Sequence, residues 1–401
     1  MAQESPEEQF QRGLALQNEG RRAEAVEVYL DLARRVLTLK LAINLGLCLR
    51  ETGDLPRAMH YLELAARHSP QEPAVRRLLG GTYSEAGRTD SAEKEFLAAL
   101  ELRPDDNQTK LALAGLYLSL GRYAEGWPLM RARIPLHPDV VPPIKLSFPE
   151  WRGEPLDGKS VLVWVEQGFG DQIQFARFAK SLKARGAARV TLGCRPALGD
   201  LFETIADVDA VLRAGIGETV PIPAHDYWSR YFSLPEPLGM TLETLPAEPY
   251  LAAPADRRAR WADFSPGARV GLVWQASPTG FNGANKGLPP DQARRLLAAG
   301  AISLHPEDTG AADFADTAAI VERLDLVISI DTSVAHLAGA MGKPCWTLLP
   351  YLHSDWRWLR GRTDSPWYPG MRLYRHGAKQ DWTKLVDRVL ADLAAAKLGA
   401  A

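Results

Sequence analysis

Small and apolar residues recur along the first third of the chain with a fixed period. Gly46, Gly80 and Ala114 stand 34 residues apart, as do Gly53, Gly87 and Gly121, and Pro70, Pro104 and Pro138. Ala58 and Ala92 keep this phase, as do Leu62 and Phe96. An earlier unit carries Gly13, Gly20 and Ala25 one residue out of step. The pattern predicts pairs of amphipathic helices, with the small residues letting partners approach closely. Each proline ends a second helix, because it lacks an N–H and clashes with the preceding turn. About four units fill residues 1–138. The last is divergent: in GRYAEGWPLMRAR, Gly126 stands where the repeat takes alanine, a form suited to a terminal unit that docks on something else.

A 34-residue helix pair is the tetratricopeptide period. Stacked arrays of such pairs present concave surfaces that bind peptides or proteins. The plainer alternatives for this arm are a rigid spacer or a dimerisation face.

The pattern changes after residue 138. Residues 139–158, DVVPPIKLSFPEWRGEPLDG, contain prolines and glycines that exclude a regular helix and mark a linker. Short apolar runs then alternate with helical stretches. VLVWVEQ (161–167) reads as a buried strand, followed by a GFGD turn and one helix, QIQFARFAKSLKARG. ARVTLGC is the next strand, PALGDLFETIA the next helix, and DAVLRA a third strand. The series restarts at RVGLVW (269–274). A helix near 291–299, the strand AISLH and a helix near 316–323 follow, then the strand LDLVISI, the helix VAHLAGAMG and the strand PCWTLLP. Alternation of this kind predicts parallel sheets. Two successive sets predict two Rossmann-like lobes, 159–262 and 263–401, with ligands beyond the carboxyl ends of the strands. The expected fold is an all-α tetratricopeptide superhelix followed by an α/β module.

Composition narrows the function. With 401 residues, 46% apolar and 24% charged, the chain can bury several cores. A net charge of -2 gives no polyelectrolyte signal, so nucleic acid is not an expected partner. Three scattered cysteines without a CxxC argue against a disulfide framework or structural zinc and fit a reducing cytoplasm. The polar start, MAQESPEEQF, has no apolar signal core, and no apolar run approaches the roughly 20 residues that span a bilayer. Peripheral work beside a membrane stays open.

Three strand ends carry candidate chemistry. The first is Glu166–Gln167–Gly168–Phe169–Gly170–Asp171. Its glycines allow a tight turn and close ligand approach, and Asp171 at the cleft mouth could deprotonate an acceptor hydroxyl. Read structurally, Asp171 with Gln174 three residues on has the spacing of a helix cap. The second is Asp331–Thr332–Ser333–Val334–Ala335–His336, where a strand gives way to a helix. The free N–H groups of a first helical turn suit a diphosphate, with Thr332 and Ser333 adding hydroxyls. The structural alternative is a plain cap and a packed histidine. The third is Gln275–Ala276–Ser277 and the glycine- and asparagine-rich stretch to Lys286, whose ammonium could balance phosphate charge. Further on, SDWRW and DSPWYP concentrate aromatics. There Asp355, Trp356 and Trp358 could hydrogen-bond and stack on a sugar or base, or else form a core patch. Metal chemistry is not expected: the single D-x-D is Asp207–Val208–Asp209, and there is no HxxxH. A G-x-S-x-G elbow and a Walker loop are absent as well.

Taken together, EQGFGDQIQFARF, VGLVWQAS, DFADTAAIVERLDLVISIDTSVAHLAGAMGKPCWTLLP and DWRW resemble bacterial tetratricopeptide-repeat glycosyltransferases. Their catalytic module is similar to the heptosyltransferase family (family nine) with the GT-B fold. The resemblance implies metal-independent, inverting transfer from a nucleotide sugar, with no cofactor. The first lobe would lie on the acceptor side and the second on the donor side. Asp171 then matches the family's proposed general base, and Asp331, Thr332 and His336 match its donor-binding D-T-x-x-x-H loop. Ser333 stands where the family usually has glycine. Gln275 and Lys286 fall near the donor, and Gln167, Gly168 and Gly170 of the turn could contact the sugar or nucleotide. The stretch between AISLHPEDTG and ADFADT is shorter than the family's. The implied partners are a nucleotide sugar and a protein or surface-glycan acceptor brought in by the arm. The competing reading is a non-catalytic scaffold with a degenerate transferase module.

Overall fold

A computed structural model describes residues 4–138, 141–166, 168–215, 217–218, 220–264, 269–276, 283–377 and 381–397. Gln167, Ser277 and the glycine- and asparagine-rich residues 278–282 lie outside this set. The chain forms two compact units. One comprises Met1–Tyr117 and Leu129–Leu136, the other Leu118–Pro128 and His137–Ala401.

The repeat pattern folds as helix pairs: α1 (Pro6–Asn18) with α2 (Arg22–Ala33), α3 (Leu39–Glu51) with α4 (Leu55–His68), and α5 (Pro73–Glu85) with α6 (Thr89–Leu102). A fourth pair follows, α7 (Asn107–Ser119) and α8 (Tyr123–Leu129). The periodic glycines have two separate jobs. Gly13, Gly46 and Gly80 face Tyr29, Leu62 and Phe96 of the partner helix, where an added Cβ would meet ring or side-chain carbons at 2.3, 2.7 and 2.8 Å. Only hydrogen fits there, and the large partners are buried. Gly20, Gly53, Gly87 and Gly121 have φ between 75° and 87°. They reverse the chain after a first helix in the left-handed conformation that side chains disfavour. Caps reinforce the ends: Ser5 and Glu8 form a reciprocal box, and Thr38 and Asp54 accept from the amides of Leu41 and Arg57.

The second unit holds two parallel sheets. The first contains β1 (Ser160–Trp164), β2 (Arg189–Cys194), β3 (Ala210–Arg213) and β4 (Tyr227–Arg230), in the order β3-β2-β1-β4. The second contains β5 (Val270–Val273), β6 (Ala301–Ser303), β7 (Leu326–Ile330), β8 (Cys345–Leu349) and β9 (Met371–Arg375), in the order β6-β5-β7-β8-β9. β5 and β7 are buried along their whole length, as strands covered on both faces must be. Val270, Leu272, Leu326, Ile328 and Ile330 make a core with Leu385, Val386 and Val389 of the helix Trp382–Ala395. Trp151, within the proline-rich stretch, is fully buried, and its amide donates to the carbonyl of Trp228 in β4.

Three details differ from the sequence expectation. The single helix expected over 172–186 is two, Phe169–Ala176 and Phe178–Ala184, divided at the buried Arg177. β4 and β9 were not expected. Both are edge strands of four and five residues, and YWSR and MRLYR lack an apolar run. Asp171 is not the residue that starts its helix. Gly168 occupies that position, and the Asp171 carboxylate reaches back to accept from the Gly168 N–H at 2.9 Å.

Candidate functional site

In the second sheet the strand order reverses between β5 and β7, which opens a crevice at their carboxyl ends. Gln275 emerges exposed just beyond β5, and Asp331 follows β7 as a largely buried carboxylate. The Lys286 ammonium, at the end of the short helix Gly283–Lys286, lies 3.4 Å from the Asp331 carboxylate. The donor-side cation and acid proposed from sequence are therefore partners.

The helix Ser333–Ala340 begins at Thr332, but the Thr332 hydroxyl does not cap it. That hydroxyl pairs with the Ser329 hydroxyl at 3.0 Å. Among the described residues, the amides of Ser333 and Val334 have no hydrogen-bond partner, as expected for an uncapped first turn. His336 is packed rather than presented. Its ring stacks on Trp358 at 5.2 Å and 21°, and Nδ1 lies 2.9 Å from the Tyr368 hydroxyl. Burial holds its pKa well below the usual histidine range, and the charges of Arg357, Arg177 and Lys286 act the same way. Both effects favour the neutral imidazole. Trp358 is fully buried against it.

The first sheet contributes the helix Phe169–Ala176, which packs on Ser333–Ala340 at Gly170. A Cβ there would sit 2.8 Å from His336 Cδ2 and 3.4 Å from Ser333 Cα. Gly170 is thus fixed by this helix contact. The glycine turn and the D-T-S-x-x-H segment, 160 residues apart in sequence, are brought together.

Arg357 joins them. Its Nη2 donates to Asp171 at 2.7 Å, Nη1 to Asp355 at 2.6 Å and Nε to the Gln174 amide oxygen at 2.7 Å. Its backbone N–H donates to Asp355 at 3.0 Å, and its guanidinium lies 4.9 Å from the Trp356 ring centre. Burial works against the Arg357 charge, but Asp355, Asp171 and Asp331 more than offset it and raise its pKa. Asp355 is raised too: burial disfavours its charge and outweighs Arg357, with Asp331 and Asp171 adding repulsion. The cluster is three carboxylates around two cations. Asp171 accepts two hydrogen bonds, which leaves lone pairs for an incoming hydroxyl.

Asp171, Asp331 and Lys286 were legible singly in the sequence, Arg357 and Tyr368 did not stand out, and Gln174, expected as a cap partner of Asp171, instead accepts from Arg357. The signal for Arg357 was available: an arginine two residues after an aspartate, between two tryptophans. Asp207 and Asp209 take no part. Asp209 accepts from the Val190 amide and pairs with Lys183. Among the described residues, no group of three or more metal-ligating side chains is arranged to hold an ion. No helix there is long and apolar enough to cross a membrane.

The fold defines a tetratricopeptide superhelix followed by a parallel α/β region. Two tetratricopeptide family models match residues 10–73 and 49–108. Across nearly the whole chain it is similar to Protein FlbA of Caulobacter vibrioides, at 27% identity over 94% of this chain and 71% of that protein. Among solved structures, a family 9 glycosyl transferase from Veillonella parvula aligns with 56% of this chain and 88% of its own, at 13% identity and a TM-score of 0.44. MamA from Desulfovibrio magneticus aligns with 33% of this chain and 73% of its own, at 20% identity and a TM-score of 0.30.

Proposed function

We propose that the α/β unit transfers a glycosyl group from a nucleotide sugar to a hydroxyl of a protein or glycan acceptor, and that the tetratricopeptide arm engages that acceptor or a protein that carries it. The observation that carries this reading is the packing of the glycine turn that bears Asp171 on the Asp331–His336 segment, at Gly170 against Ser333 and His336. On this reading Asp171 accepts the proton of the acceptor hydroxyl as its oxygen attacks the anomeric carbon. The bond from that carbon to the phosphate oxygen breaks, and its electron pair leaves with the nucleotide. Lys286 and the free amides of Ser333 and Val334 meet the charge that develops there. Attack opposite the departing phosphate inverts the centre. Cations and helix amides supply the positive charge, so transfer should proceed without a metal and persist in a chelator.

The experiment is a thermal-shift screen of the full chain against UDP-, GDP-, ADP- and CMP-sugars. A donor at 100 times its Kd stabilises a competent site by roughly 2.7 kcal/mol. With a donor found, Asp171→Ala should keep donor binding and lose transfer; unchanged turnover would remove Asp171 as the base. Asp331→Ala should weaken the donor by releasing Lys286. A second reading, a scaffold with a silent module, draws support from the same contacts. Asp171 is already engaged by Arg357, and Lys286 by Asp331. No stabilisation by any donor would favour it.

A further inference from the structure

The aromatic bed beneath Arg357 includes residues from the fourth helix pair. Trp127, on α8, is 2% exposed and meets Trp356 edge to face, with ring centres 5.4 Å apart at 89°. It meets Phe175 the same way, at 6.1 Å and 86°. Tyr123, one turn earlier, packs on Trp127 at 5.3 Å, and its hydroxyl accepts from Trp367 Nε1 at 2.8 Å. Gly126 lets α8 lie on Leu118, since a Cβ there would come within 2.7 Å of the Leu118 side chain. The Ser119 carbonyl and hydroxyl accept from the Arg360 amide and Nε, both at 2.9 Å.

We infer that Trp127 is a positioning residue for the Asp355–Arg357 turn, so that the last helix of the repeat series is a working part of the candidate site. The inference rests on the functional reading only for what the site does. The Trp127 ring fixes the Trp356 ring, the Trp356 face carries the Arg357 guanidinium, and Arg357 sets the direction of the Asp171 carboxylate. Edge-to-face pairs of this kind constrain ring orientation beyond what area burial does. Trp127 Nε1 is buried with no hydrogen-bond partner among the described residues. The indole N–H therefore adds nothing to the contact, and phenylalanine should serve in its place. The divergence of the fourth repeat then has a physical reason. Tyr123, Gly126 and Trp127 answer to the α/β core rather than to the repeat.

The test is hydrogen exchange, read by mass spectrometry on the full chain without ligand. Two segments report: 354–359, where the Arg357 amide is held by Asp355, and 168–172, where the Gly168 amide is held by Asp171. Trp127→Ala should speed exchange in both by about tenfold or more while β7 stays protected. Trp127→Phe should restore rates to within about threefold of the parent. Faster exchange confined to residues 118–129, with both reporters unchanged, would overturn the inference. If Trp127→Ala fails to fold, Trp127→Leu fills the volume without offering a ring edge, and the same two segments decide. Exchange reads geometry, so a silent donor screen leaves this result standing, and a failed exchange test leaves the transferase reading standing.

Discussion

Single residues set both the closeness and the charge of the crevice. Gly170 is held to hydrogen by His336 and Ser333. Gly170→Ala should cost about 1–3 kcal/mol of stability through overpacking, measured by urea unfolding; a neutral outcome would mean the two helices do not meet this tightly. His336 makes the crevice sensitive to acid. Free in the unfolded chain it titrates near 6.5, whereas folded it protonates only well below that, because burial and nearby cations oppose its charge. Below about pH 6.5 the unfolded chain binds more protons, so stability falls as pH drops. One such group contributes at most about 1.4 kcal/mol per pH unit. His305 and His376 share the direction through their own burial. His336→Asn should flatten, not abolish, the loss of unfolding free energy between pH 6.5 and 5, and identical slopes would contradict the assignment. Asp355 has the opposite sign. Its raised pKa means that its contribution is lost as pH rises from the ordinary aspartate range through its own higher value.

Within elements, the repeat glycines separate cleanly by surroundings. Gly80 and Gly115 both sit inside first helices of their pairs. A Cβ at Gly80 would meet Phe96 at 2.8 Å, while at Gly115 it would meet nothing within 4 Å. Gly80→Ala should destabilise the arm by about 1–3 kcal/mol. Gly115→Ala should stabilise it by up to about 1 kcal/mol, because glycine is the poorer helix former. Chemical denaturation of the two variants side by side checks this, and effects of the same sign would refute it. The repeat was legible because the constraint is local: Gly46 and Leu62, or Gly80 and Phe96, lie 16 residues apart within one helix pair. β1, β2, β5, β7 and β8 were legible as apolar runs. β4 and β9 were not, because edge strands need only one covered face and no long run. The break at Arg177 was hidden as well. Its cause is tertiary: the guanidinium donates to the carbonyls of Pro246 and Trp367 and lies among Tyr250, Trp367 and Tyr368.

At the scale of the whole molecule, the sequence by itself determined the order of parts: a helical repeat array, a proline-rich passage, then two rounds of strand and helix. It did so because amphipathic period, glycine turns and buried apolar runs are written in near neighbours. It also marked Asp171, Asp331 and Lys286 as residues at strand ends. Only the tertiary structure decided how they act on each other. Lys286 faces Asp331, 45 residues on, and Arg357 binds Asp171 from 186 residues away. It turned His336 and Trp358 inward, and it set Trp127 of the repeat series beneath Trp356. A buried charge must find its partner wherever the fold brings one, and no local pattern records which partner that will be.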